Sequence, residues 1–245
     1  MFNIFIGNLI RLVKNILFSG GCVLAIVITY FLTSGKLFEF LSNATAEERM
    51  IFTSAAMVAY FSFFTTIFVS VEYHDGIIRN RIISGFSQID VYLASLLTQY
   101  SALTIMFVVY IIGGLIGGAR LTSDGIIRIG IIYLALIAYV TVTNAVGFRV
   151  KKVIISTIIT MLIFNACFNM VMFGNAILSF MENETALAVG KVIYNINALG
   201  QWFSLTPFSF DYTNPGYGVQ IALSFGIIVP TLLLGMVGLK KRELK

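Results

Sequence analysis

The chain has 245 residues; 58% are hydrophobic, 11% are charged, and the mean hydropathy is +0.94. A soluble domain carries roughly 25% charged and about 45–50% apolar residues. The composition therefore argues against a water-soluble enzyme, a nucleic-acid module or a disordered tail, and for a polytopic all-α membrane protein. The net charge of +5 comes from basic residues between apolar runs. They point to orientation in a membrane rather than to a nucleic-acid partner.

Residues 1–14 open the chain with a helical period. Asn8, Arg11 and Lys14 share one face, and Phe2, Phe5, Ile6, Leu9, Ile10 and Val13 cover the rest. The pattern predicts an elbow helix lying in the membrane interface. Six apolar stretches follow, each near the roughly 20 residues a crossing helix needs: 15–35, 51–71, 91–119, 129–148, 153–181 and 219–239. None contains Asp, Glu, Lys, Arg or His. Ser19-Gly20-Gly21-Cys22 has the look of a lipoprotein cleavage site. Only Ile16, Leu17 and Phe18 separate it from Lys14, too few for a signal's apolar core, so the first span reads as uncleaved. Cys22 and Cys167 both lie in apolar runs and form no disulfide framework or metal-ligand spacing.

Between the second and third spans, Ile78, Ile82, Phe86 and Ile89 recur at i, i+4, i+8 and i+11, one face of a helix. Gly76 and Gly85 punctuate the segment, where a chain leaving one membrane helix for another needs unusual dihedrals. The spacing predicts a helix over 75–90, flat beneath the membrane, with a surface for a partner. In the third span, Gly113, Gly114, Gly117 and Gly118 form overlapping GxxxG pairs, a helix-packing device. The second span carries Phe61, Phe64 and Phe68 beside Ser62 and Thr66; the fifth carries Asn165, Asn169 and Met172 at i, i+4, i+7 beside Phe164 and Phe168. Residues 186–210 are apolar but include Lys191, Asn195, Asn197, Gln201 and Pro207. They read as a re-entrant or interfacial segment on the outer side, with Trp202, Phe203 and Phe208 as an external gate or an interfacial anchor.

Charge sets the expected orientation. Arg11, Lys14, Arg79, Arg81, Arg149, Lys151, Lys152, Lys240, Lys241, Arg242 and Lys245 fall on one side; Lys36, Arg49, Arg120, Arg128 and Lys191 fall on the other. The positive-inside rule places the richer set, with both termini, in the cytoplasm. Glu39, Glu47, Glu48, Asp124, Glu182, Glu184 and Asp211 lean outward.

The stretch from Glu72 resembles the loop after the second span in type-2 permeases of ATP-binding cassette (ABC) transporters. That loop often reads Glu-Tyr-x-x-Gly-Thr-Ile-Arg-Asn-Lys-Leu-Ile-x-Gly-x-Ser-Arg, then Tyr-Leu. Glu72, Tyr73, Gly76, Ile78, Arg79, Asn80, Ile83, Gly85 and Ser87 match in order, followed by Tyr92 and Leu93. Ile77, Arg81, Ile82 and Gln88 depart from it. The resemblance implies an ABCG-like exporter permease fold in a bacterial cytoplasmic membrane. It implies a coupling helix (Glu72, Gly76, Ile78, Arg79, Ile82, Gly85, Phe86, Ser87) that docks on an ATPase subunit, with Arg79 within reach of Glu72 or of that partner. It also implies a second permease subunit and a cargo path along the second and fifth spans (Phe61, Phe64, Phe68, Asn165, Phe168, Asn169, Met172). Such a lining suits hydrophobic or amphipathic cargo, and compact permeases of this kind often export peptide toxins or bacteriocins; lipids and drugs are the alternative.

No GxxxxGK[ST] loop is present, so ATP and Mg²⁺ are expected on a separate partner chain and no cofactor or metal on this one. Three rivals fare less well. A proton-driven carrier lacks ionisable residues in its spans. An intramembrane enzyme lacks HExxH and GxSxG, so no catalytic residue is expected. A channel or scaffold leaves the Glu72–Ser87 likeness unexplained.

Overall fold

A chain in lipid must satisfy every backbone N–H and C=O internally, and each apolar run here does so as a helix. The computed structural model describes residues 1–35, 43–150, 152–237 and 239. Lys36, Glu39, Lys151, Lys240, Lys241, Arg242 and Lys245 of the orientation argument, and Gly238 of the sixth span, lie outside the described residues.

The chain order is α1 (Phe2–Val13), α2 (Ile16–Thr33), α3 (Ala46–Thr53), α4 (Ala55–His74), α5 (Ile77–Ile83), α6 (Gln88–Ile116), α7 (Ser123–Arg149), α8 (Val153–Ser179), α9 (Glu184–Tyr194), α10 (Ala198–Leu205) and α11 (Tyr217–Met236). Six segments are long and apolar enough to cross a membrane: α2, α3 with α4, α6, α7, α8 and α11. Polar residues set their starts. Asn15 Oδ1 accepts from the amides of Leu17 (2.9 Å) and Phe18 (3.2 Å) and opens α2. Thr45 and Glu48 close a capping box on α3, and Ser87 and Thr122 cap α6 and α7. Each removes orphan amides from the first turn.

Three boundaries differ from expectation. The second crossing runs on to His74, so Glu72 and His74 are helical rather than part of the following loop. The fourth begins at Ser123 and takes Asp124 and Arg128 into its first turns. The expected helix over 75–90 is only Ile77–Ile83; Gly76 (φ 70°) and Gly85 (φ 93°) bound it in left-handed conformations, and Gln88, Ile89 and Asp90 belong to α6. The apolar period runs on past Ile83 because both helices turn their apolar residues onto one cluster.

Helices α4 and α7 form the centre, and α2, α8 and α11 the periphery. α7 packs against α4, α6, α10 and α11, while α8 rests mainly on α4. The glycines of α6 act as packing points. A Cβ on Gly113 would sit 2.8 Å from the Ile26 carbonyl oxygen, and one on Gly117 2.8 Å from Thr33 Cβ. Only glycine lets α6 come this close to α2. The α4 seam is hydroxyl-based: Ser62 meets Tyr139 (2.6 Å), Thr66 meets Thr160 (3.0 Å) and Ser70 meets Ser156 (2.7 Å), one helical turn apart.

The segment over 186–210 falls in α9 and α10, joined by a short turn. At 11 and 8 residues neither can cross a bilayer, so no seventh span forms there.

Candidate functional site

Among the described residues, two arginines from different helices gather around Glu72, near the end of α4. Its side chain is 1% exposed. A buried carboxylate needs cations and hydrogen-bond donors, and two helices supply them. Arg11 of α1 donates to Oε1, and Arg81 of α5 approaches Oε2 at 3.5 Å. Arg81 Nη2 also donates to Asn8 Oδ1 (2.6 Å), which ties α5 to α1. The Arg11 guanidinium stands 5.4 Å from the centre of the Phe68 ring, within cation–π range. Burial lowers the Arg81 pKa, Glu72 opposes that shift, and Arg11 adds to it. The guanidinium remains charged at neutral pH.

Arg79 was expected within reach of Glu72 or of a partner; Glu72 is met by Arg81 instead, and Arg79 is exposed. Helix phase explains the choice. Arg81 lies three residues after Ile78, on the same face. Ile78 is fully buried, in a cluster with Ile4, Val69, Tyr92 and Phe148 that Ile82 and Phe86 also join. The apolar face of the segment therefore packs against its own chain. The outward face carries Arg79, Asn80, Ile83 and Ser84, with Gly85 and Ser87 following, all exposed. Ser87 Oγ accepts from the Asp90 amide (3.0 Å) as the α6 cap.

The residues expected along a cargo path divide into two groups. Phe61, Phe64 and Phe68 are buried in the core. Asn165, Phe168 and Met172 lie on the outward face of α8, and Asn169 is partly covered. Asn169 Nδ2 donates to Asn165 Oδ1 (2.7 Å) and to the Asn165 carbonyl (2.8 Å). Within one chain Phe64 and Asn169 border different cavities. Asn169 borders an apolar groove of about 370 Å³ between α8 and α9, with Phe173, Ile177, Gly190 and Ile193.

The opposite end holds a hub absent from the expectation. Asn195 donates to the carbonyls of Thr213 (2.8 Å) and Lys191 (2.9 Å). Its Oδ1 accepts from Ser204 Oγ (2.9 Å) and Gln220 Nε2 (3.0 Å). Gln201 Nε2 donates to the Asn195 carbonyl (3.0 Å), and Gln201 Oε1 accepts from Ser224 Oγ (3.1 Å). Its signal was visible as amides in an apolar stretch. Gln220 and Ser224, inside the sixth span, and Ser204 were members missed. Trp202 is pinned rather than free: Nε1 donates to the carbonyls of Ile51 (3.3 Å) and Phe52 (3.2 Å), beside the break between α3 and α4. The ring also packs on Phe52, with centroids 5.4 Å apart.

Among the described residues, no cluster of three His, Cys, Asp or Glu could hold a metal ion. Cys22 and Cys167 are free thiols. Comparison of the chain with family models, with curated proteins and with solved structures finds no match.

Proposed function

We propose that the chain is the membrane-spanning permease subunit of a two-component ABC exporter in a bacterial cytoplasmic membrane, with both termini cytoplasmic. The observation that carries this reading is α5 and its mounting. A short helix set between two left-handed glycines of the resembling motif turns Arg79, Asn80, Ile83 and Ser84 outward, while Arg81 grips the buried Glu72. An ATPase docked on that outward face acts through Arg81 and Glu72 on α4 and, through Arg11, on α1. The ATPase brings ATP and Mg²⁺, a second permease subunit completes the path, and this chain performs no bond chemistry.

The cargo is a hydrophobic or amphipathic solute, with a peptide toxin or bacteriocin preferred. The exposed α8 face supports this, since Phe168 and Met172 flank the Asn165–Asn169 amides and offer an adaptable apolar surface with polar points. Lipid or drug-like cargo is the other reading of the same face.

The test is co-expression and co-purification of the chain with its candidate ATPase subunit. Arg79→Glu with Ile83→Glu abolishes the complex and the stimulated ATP hydrolysis, while the permease stays folded. An intact complex in that variant, or no ATPase bound to the native chain, overturns the reading. Failure of amphipathic peptides to stimulate hydrolysis or to be cleared from cells removes the peptide version alone.

A further inference from the structure

Two cavities flank Tyr60 where α2 stands away from α4. One, about 290 Å³, borders Ile16, Leu17, Gly20 and Phe63; the other, about 120 Å³, continues past Ala25 and Ile28. Gly21, Leu24 and Tyr60 wall both, so the two form one crevice along α2. Its cause is local. Gly20 and Gly21 leave α2 without side chains there, and Tyr60 fills only part of the gap. The Tyr60 ring lies against Gly21, and its hydroxyl donates to the Leu17 carbonyl (3.0 Å). Leu17, Leu24 and Phe63 are exposed, so the crevice opens sideways.

An apolar gap of this kind offers water too few partners, and its walls regain dispersion contacts only from an apolar occupant. From Ile16 to Ile28 the crevice runs roughly 18 Å along the helix. That is close to half of the ~30 Å hydrocarbon core, the reach of one leaflet's chains. Lys14 stands exposed beside its Ile16 end, and its ammonium makes no hydrogen bond or ion pair among the described residues. Arg11 and Arg81 share the one Glu72 carboxylate nearby, so this corner carries excess positive charge.

We propose that the crevice is a lipid site holding one acyl chain of an anionic glycerophospholipid, whose phosphate meets Lys14. The site does not depend on the export reading and is measured without any ATPase. The purified chain, stripped of lipid in detergent, is given phosphatidylglycerol or phosphatidylcholine, and the bound lipid is counted by native mass spectrometry.

One lipid is retained, with phosphatidylglycerol preferred. Gly20→Leu fills the crevice without disturbing the fold, because a Cβ there meets nothing within 4 Å, and retention falls about tenfold. Gly226→Leu, at an equally open position on α11, leaves retention unchanged. Lys14→Gln keeps the chain bound but lowers the preference for phosphatidylglycerol about fivefold. Undiminished retention in Gly20→Leu overturns the site, and an intact preference in Lys14→Gln overturns the headgroup contact.

Discussion

Replacing Glu72 by glutamine keeps the shape of the side chain and removes its charge. Glu72 is 1% exposed, while Arg11 and Arg81 are 32% and 15% exposed. Removing one member of a buried ion pair costs about 3–5 kcal/mol, because the remaining charge is left uncompensated. Here two guanidiniums lose their carboxylate, but both keep some contact with solvent, which screens the loss. The expected cost is therefore at the lower end, about 3 kcal/mol. Interhelical hydrogen bonds inside membranes average about 0.6 kcal/mol, so the charge cluster outweighs any single hydroxyl pair of the α4 seam. The assay is equilibrium unfolding in mixed micelles, followed by the fluorescence of Trp202, the one tryptophan. Glu72→Gln, Arg81→Gln and the double variant complete a cycle, with Arg79→Gln as the exposed control. The reasoning predicts strong non-additivity between Glu72 and Arg81 and a change below about 0.5 kcal/mol at Arg79. A Glu72→Gln protein within 0.5 kcal/mol of the native chain refutes it, as does a loss at Arg79 equal to that at Arg81.

Three further outcomes follow from the packing. Ile78→Ala costs about 2–5 kcal/mol, since Ile78 is fully buried and the change leaves a cavity; Ile83→Ala, at a position 71% exposed, stays within about 0.5 kcal/mol in the same unfolding assay. Trp202→Phe keeps most of the ring but strips the donor from the Ile51 and Phe52 carbonyls, so thermal unfolding shows a loss of about 1–3 kcal/mol. Gly113→Ala forces a Cβ onto the Ile26 carbonyl and costs about 1–3 kcal/mol, whereas Gly130→Ala, with nothing within 4 Å, is neutral or mildly stabilising; equal effects at the two glycines would count against close α2–α6 packing.

The six crossings were legible because length and hydropathy are local properties, and lipid leaves a long apolar run little choice but a helix. Helix ends were less legible. Glu72 was placed outside its span because a charge at membrane depth is expensive, yet the cost is met by Arg11, which lies 61 residues earlier in the chain. Periodicity found the apolar face of α5 correctly but could not say what covers it. Ile78 turned inward, and Arg81 followed it by helix phase. The phenylalanines of α4 show the same limit, since an aromatic stripe reads alike whether it meets cargo or its own core. Gln220 was hidden for the opposite reason. A lone amide in an apolar span has no sequence partner, and Asn195 becomes its partner only when α9, α10 and α11 converge.

The two ends of the bundle are held together by different chemistry. At the Trp202 end, many neutral or mixed contacts share the load. Glu47 accepts from the Thr122 amide (2.8 Å), Asp124 accepts from Tyr217 (2.7 Å) and pairs with Arg128 (2.7 Å), and the Asn195 hub binds three segments. Losing one of these leaves the others in place. At the Glu72 end, α1, α4 and α5 converge on a single carboxylate. Its two partners carry like charge and repel each other once it is gone, so the contacts there fail together rather than one by one. A helix mounted on such a joint transmits its displacement to α4 and α1, because Arg81 cannot shift without altering the balance of charge at Glu72. The concentration of charge on one carboxylate thus makes this end the more responsive one.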